Sequence, residues 1–148
     1  MGRWLKDLLS SLRSRTVGID LSGSERRPSG WAVLEGAGVL EASLLGPDEE
    51  LLEATARVEP ALVAIDAPLS LPREGYTRPV DREMHRLGLP VLPPLFPAMK
   101  LLTLRGIRLA EQLAARGLQV IEVHPASTRK VLGPVSYTHL TLPTTERV

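Results

Sequence analysis

Two short apolar runs, "TVGIDLSGS" and "ALVAIDAPL", each end on an aspartate, Asp20 and Asp66, and "LQVIEVHP" carries Glu122 near its end. One acid after a strand is most often a turn residue or a helix cap. Three acids meeting at one point are different, because they raise one another's pKa and repel unless a cation neutralises them. A hard divalent ion serves that purpose. Mg²⁺ prefers oxygen ligands, keeps several waters and is held by one or two carboxylates together with substrate phosphates. Two such ions about 4 Å apart activate water and stabilise the leaving oxygen of a phosphodiester. Asp20, Asp66 and Glu122 are thus candidate metal ligands for Mg²⁺ or Mn²⁺ and candidate catalytic acids. Backbone amides at Ser22, Gly23 and Ser24 suit an anion cradle, though a turn needs the same residue types.

Whether the acids meet depends on the elements that carry them. "TVGIDL" has the β-branched character of a buried strand, and "SGWAVLEG" and "GVLEASLLG" read as two more strands joined at Gly36 to Gly38. Pro47 and Asp48 open a helix with acids in its first turn and Leu51, Leu52 and Ala56 on one face. "ALVAIDAPL" reads as a parallel strand covered on both sides. Prolines between Pro68 and Pro97 exclude a long regular element there, except a short helix around "PVDREMHRL". Leu101, Leu104, Leu109 and Leu113 mark a helix that stops at Gly117, with Met99 and the leucines after it assigned to the core. "LQVIEVHP" is the fifth strand and "ASTRKVLG" starts a last helix.

The expected fold class is α/β, a mixed sheet in which a three-strand antiparallel meander precedes two parallel crossover strands, in the order 3-2-1-4-5. That order makes strands one, four and five neighbours. Their carboxyl ends, where open α/β sheets bind ligands, carry Asp20, Asp66 and Glu122.

The 148 residues suit one domain with appendages, and 18 basic against 17 acidic residues leave a net charge of +1 that does not itself call for nucleic acid or a membrane. Charge is nevertheless uneven: residues 16–65 hold three basic and nine acidic side chains, residues 66–132 ten basic and six acidic. Such asymmetry suits an anionic ligand, and solvated Arg suits it as well. The absence of cysteine excludes disulfides, thiolate metal sites and cysteine nucleophiles, and a cytoplasmic protein is the default. Residues 1–15 read as an amphipathic extension without the apolar stretch of a signal peptide, and no run is long enough for a membrane span.

"VGIDLSGS...SGWAVLEG", "VAIDAPLSLP", "RPVDREMHRLG" and "VIEVHPAS" resemble, in this order, the motifs of a domain-of-unknown-function family described as predicted RNase H-like nucleases. The resemblance runs from Thr16 to about Gly133. It implies an RNase H-like domain over residues 16–134 with a metal-dependent carboxylate site, nucleic acid or another phosphodiester as substrate, and Asp20, Asp66 and Glu122 as its acids. Arg78, Asp81 and Arg82 match the family's arginine and aspartate loop, and His124 with Pro125 matches the residues after its glutamate. Arg78 and Arg82 could fork onto phosphate, while Asp81 could equally pair with one of them. His124 could shuttle a proton or stand as a satisfied structural residue.

Two other function classes stay open. "GIDLSGS" before a hairpin also resembles the first phosphate loop of the actin-like ATPase and sugar-kinase superfamily, although a second loop of the "DxGG" kind is missing and the chain is short for the two domains such enzymes use. An inactive binding domain fits the small number of aromatic side chains able to stack on bases. Residues 135–148 depart from the family pattern, and "VSYTHLTLPTT" resembles the translation of a transposase adapter used in shotgun sequencing. A non-native tail is expected there, on a domain that lacks a last acidic ligand and part of the apolar cover of its sheet.

Overall fold

Alternation along each strand decides which side chains meet the core. The computed structural model describes residues 2–3 and 14–133. The expected extension over 1–15 lies mostly, and the expected tail over 135–148 wholly, outside them. The described elements are β1 (Arg15–Asp20), β2 (Ser29–Glu35), β3 (Gly38–Leu45), α1 (Asp48–Arg57), β4 (Leu62–Ile65), α2 (Pro79–Arg86), α3 (Lys100–Ala115), β5 (Val120–Glu122) and α4 (Pro125–Leu132). The sheet order is β3-β2-β1-β4-β5, the order expected from the sequence. β1, β2 and β3 are antiparallel neighbours, and β4 and β5 join in parallel. Gly36, at φ 59°, makes the tight turn between β2 and β3.

Register puts Val17 opposite Val33 and Val63, and Ile19 opposite Trp31 and Ile65. These six therefore share one face. Leu51 and Leu52 of α1 and Leu109 and Leu113 of α3 complete the same buried cluster. Each such side chain contributes about 1.5–3 kcal/mol when fully removed from water. The buried Trp31 donates its indole N–H to Thr55 Oγ1 at 3.0 Å, which accounts for a polar residue on the inner side of α1.

The opposite face is built from small residues, Gly18, Ala32, Ala42 and Ala64, and borders an open cavity of about 890 Å³ with Pro125 and Ala126 of α4 in its wall. β4 accordingly alternates half-buried and buried residues instead of being covered equally on both sides.

α3 also departs from expectation. It buries Thr103, Arg105, Gly106, Leu109 and Leu113, whereas Leu101 is 70% exposed and Leu104 43% exposed. The helix is turned by a close approach at Gly106, where a Cβ would lie 3.0 Å from Ala67 Cβ, 3.1 Å from Pro68 O and 3.2 Å from Leu69 Cδ2. In an open helix, replacing Gly by a residue with a side chain is favourable by roughly 0.5–1 kcal/mol. Here the sign should reverse. Gly106→Val is expected to cost about 1–3 kcal/mol by pushing α3 off the segment after Asp66, measured by urea unfolding. An unchanged or raised midpoint would mean that the contact gives way freely.

Candidate active site

The pleat that sends Ile19 and Ile65 into the core turns the next residue of each strand to the other face. Asp20 and Asp66 are those residues, and both line the 890 Å³ cavity at the carboxyl ends of β1 and β4. Asp66 lies one step beyond β4, held there by its N–H, which donates to Ile19 O at 2.9 Å. Burial pushes the Asp66 carboxyl above its ordinary value of 3.8, the charge of Asp20 pushes it further, and His124 opposes the rise. Two acids are thus held together at some cost.

Glu122 faces away from them. It pairs with Ile65, so its side chain leaves the sheet on the other side. There the carboxylate accepts the Leu69 N–H at 2.8 Å and both terminal nitrogens of Arg78, Nη1 and Nη2, each at 2.8 Å. Arg78 Nε and Nη2 donate to Asp81 Oδ2 and Oδ1 at 2.9 and 2.8 Å, and Nη1 donates to Ser70 Oγ at 3.0 Å. All five guanidinium N–H groups are thereby used. Arg78 is 6% exposed and Asp81 2% exposed.

The alternative of an Arg78–Asp81 pair is the arrangement found, with the phosphate-holding geometry absent from Arg78. Asp81 also accepts the Arg78 backbone N–H at 2.9 Å, which caps α2 just before Pro79. Burial alone would raise the Asp81 carboxyl, but the hydrogen bonds and charge of Arg78 outweigh it and hold it low. Its hydrogen bonds to Glu122 and to Asp81 hold the Arg78 guanidinium firmly protonated.

His124 is half-buried just before α4, with Nδ1 2.6 Å from Ser127 Oγ. Arg82 is exposed and donates to Thr77 O at 3.2 Å. A second cavity of about 460 Å³ is lined by Asp66, Arg78, Asp81, Glu122 and His124 among others. Asp66 belongs to both cavities and Asp20 only to the first, whereas Arg82 lines a third, open cavity of about 770 Å³ with Arg73 and Arg78. Among the described residues no three acidic or histidine side chains form a metal-holding group. The donor set on the open face is two carboxylates.

A family model described as Protein of unknown function (DUF429) matches residues 18–140. The chain belongs to that family. The motif order that suggested a domain-of-unknown-function family is therefore met by a match that runs from the middle of β1 through α4 and reaches into the segment expected to be foreign. No curated protein matches the chain.

In this DUF429 chain the sequence reading missed Arg105, 4% exposed on the inner side of α3. Its Nε donates to Asp48 Oδ1 at 2.7 Å, Nη1 to Ser22 O and Oγ at 2.8 Å each, and Nη2 to Gly46 O at 2.9 Å. It thus ties the loop after Asp20 to the start of α1. A signal existed: Arg105 stands four and eight residues before Leu109 and Leu113, on a buried helical stripe where a lone cation needs a partner. Bonds within the chain also hold the loop at both ends. Ser22 N–H donates to Ser29 Oγ at 3.0 Å, and Arg27 N–H donates to Ser24 O at 3.0 Å. The tight turn runs from Ser24 to Arg27.

Proposed function

We propose that this chain carries the carboxylate centre of a divalent-metal-dependent phosphodiesterase or nuclease with an RNase H-like arrangement. The observation that carries the reading is the placement of Asp20 and Asp66 side by side on the carboxyl ends of adjacent parallel strands, on the open face of the sheet, where their charges oppose each other. A bound divalent cation relieves the repulsion between two neighbouring carboxylates. Two carboxylates fit Mg²⁺ or Mn²⁺, whose remaining positions go to water and substrate phosphate. When bound, such an ion lowers the pKa of water and stabilises the leaving oxygen.

The protein's own contribution is positional. Asp20 and Asp66 would hold the ion, and the backbone bond from Asp66 N–H to Ile19 O keeps their strand ends in step. Glu122 acts one step away: by accepting from Leu69 N–H and Arg78 it clamps the segment that follows Asp66. The charge of His124 opposes the rise of the Asp66 carboxyl and so favours its ionised, metal-holding form.

Thermal melts of wild type and Asp20→Asn, in EDTA and in Mn²⁺, test the metal assignment. Wild type should be stabilised by Mn²⁺, and Asp20→Asn should be at least as stable in EDTA and unresponsive to the ion. A variant that loses stability in EDTA yet keeps the Mn²⁺ response would make Asp20 a structural cap.

A further inference from the structure

The 460 Å³ cavity beside Asp66 is of a different character from the carboxylate pair. Its walls are apolar and come from three directions: Val80 and Met84 on α2, Val91 and Leu92 on the proline-rich segment, and Met99 and Leu102 at the start of α3. Arg78, the cation that lines it, spends all five N–H groups on Asp81, Glu122 and Ser70. A phosphate would find no donor fork there. The cavity is suited instead to an uncharged part of the substrate, with the phosphate left at the Asp20–Asp66 side.

Size narrows the class. Small-molecule sites run from about 300 to 1,000 Å³, and this one of about 460 Å³ has room for a nucleobase with its sugar. A base inside a duplex would have to be unstacked to enter, which costs a few kcal/mol that a single strand or a dinucleotide largely avoids. Methionine sulfur makes favourable contacts with aromatic rings, and Met84 and Met99 supply two thioethers to the lining. At the polar end, His124 has Nδ1 engaged with Ser127 Oγ, and among the described residues its Nε2 makes no hydrogen bond. One ring nitrogen is therefore available for a base edge.

We propose that this cavity is a nucleobase pocket, taking one unstacked base of a single-stranded or small nucleotide phosphodiester whose phosphate lies at Asp20 and Asp66. The proposal rests on the phosphodiesterase reading for the position of the phosphate and on the cavity for the base.

The test uses the full chain with ¹³C-methyl methionine, titrated with AMP and, separately, with ribose 5-phosphate in the presence of Mg²⁺. AMP should shift the Met84 and Met99 methyl signals through the ring current of the base, and ribose 5-phosphate should move neither. Leu92→Trp and Val80→Trp, at wall positions 55% and 53% exposed, leave the core untouched. Each should weaken AMP binding by about tenfold, equivalent to about 1.4 kcal/mol. Unmoved methionine signals, or equal shifts with ribose 5-phosphate, overturn the pocket. Cleavage of a single-stranded oligonucleotide in Mn²⁺, assayed on the same preparations, separates the two readings. Cleavage without methionine shifts overturns the pocket alone, and AMP-specific shifts without cleavage support the pocket while overturning the hydrolytic reading.

Discussion

Arg105→Met is expected to destabilise the protein by about 3–5 kcal/mol, the cost of removing one partner from a buried ion pair and leaving the other uncompensated. The Asp48 carboxylate would keep only Arg108, at 3.0 Å from a side chain that is itself 59% exposed, and the carbonyls of Ser22 and Gly46 would lose their donor. In a domain of this size that corresponds to a fall in Tm of roughly 10–20 °C. Arg105→Lys should lie between, because an ammonium keeps the charge but cannot span Asp48, Ser22 and Gly46 in one plane. Arg116→Ala is the control: its pair with Glu53 is exposed on both sides and contributes at most about 1 kcal/mol. Guanidinium unfolding of the three variants measures this. A midpoint for Arg105→Met near that of Arg116→Ala would show that the network does not hold the loop after Asp20.

Asp66→Asn should lower Mn²⁺-dependent hydrolysis of bis(p-nitrophenyl) phosphate by about 10²–10³-fold or more, the loss typical of deleting one group that stabilises charge in the transition state. Its effect on folding should have the opposite sign. The Asp66 carboxyl is raised in the folded state, so its contribution to stability is fully present below the ordinary value of 3.8 and is lost as pH rises through the raised value. At neutral pH the ionised group opposes folding, and the amide, which does not titrate, removes that opposition. Asp66→Asn should therefore match or exceed wild type in EDTA at pH 7, with its advantage shrinking towards pH 4. Retained hydrolysis would end the catalytic assignment, and a variant less stable than wild type at pH 7 would show that the carboxylate is a structural acceptor.

The roles of the three acids separate what can be seen in a sequence from what cannot. Asp20 and Asp66 each follow an isoleucine that faces the core, in "GID" and "AID", so the alternation that identifies a strand also places the next residue on the opposite face. Glu122 gives no such cue. β5 is three residues long, Val120 and Ile121 are both apolar, and either could be the inward one. The choice is made by bonds to β4, Val63 N–H to Gln119 O at 2.8 Å and Val123 N–H to Ile65 O at 3.0 Å, which pair Glu122 with Ile65. A shift by one residue would have brought Glu122 round to the aspartates. Arg78 follows the same logic. Its motif was visible, but saturation of its guanidinium depended on Glu122 leaving the sheet on that side.

Element order, the sheet order β3-β2-β1-β4-β5 and the pairing of Asp20 with Asp66 were determined by the sequence itself, because each rests on local periods and on the handedness of crossovers. The rotation of α3, the burial of Arg105 and the turning of Glu122 towards Arg78 were decided only in the tertiary structure. Their physical cause lies between segments far apart in the chain: the close approach of Gly106 to Ala67 and Pro68, and the register of a three-residue strand against its neighbour.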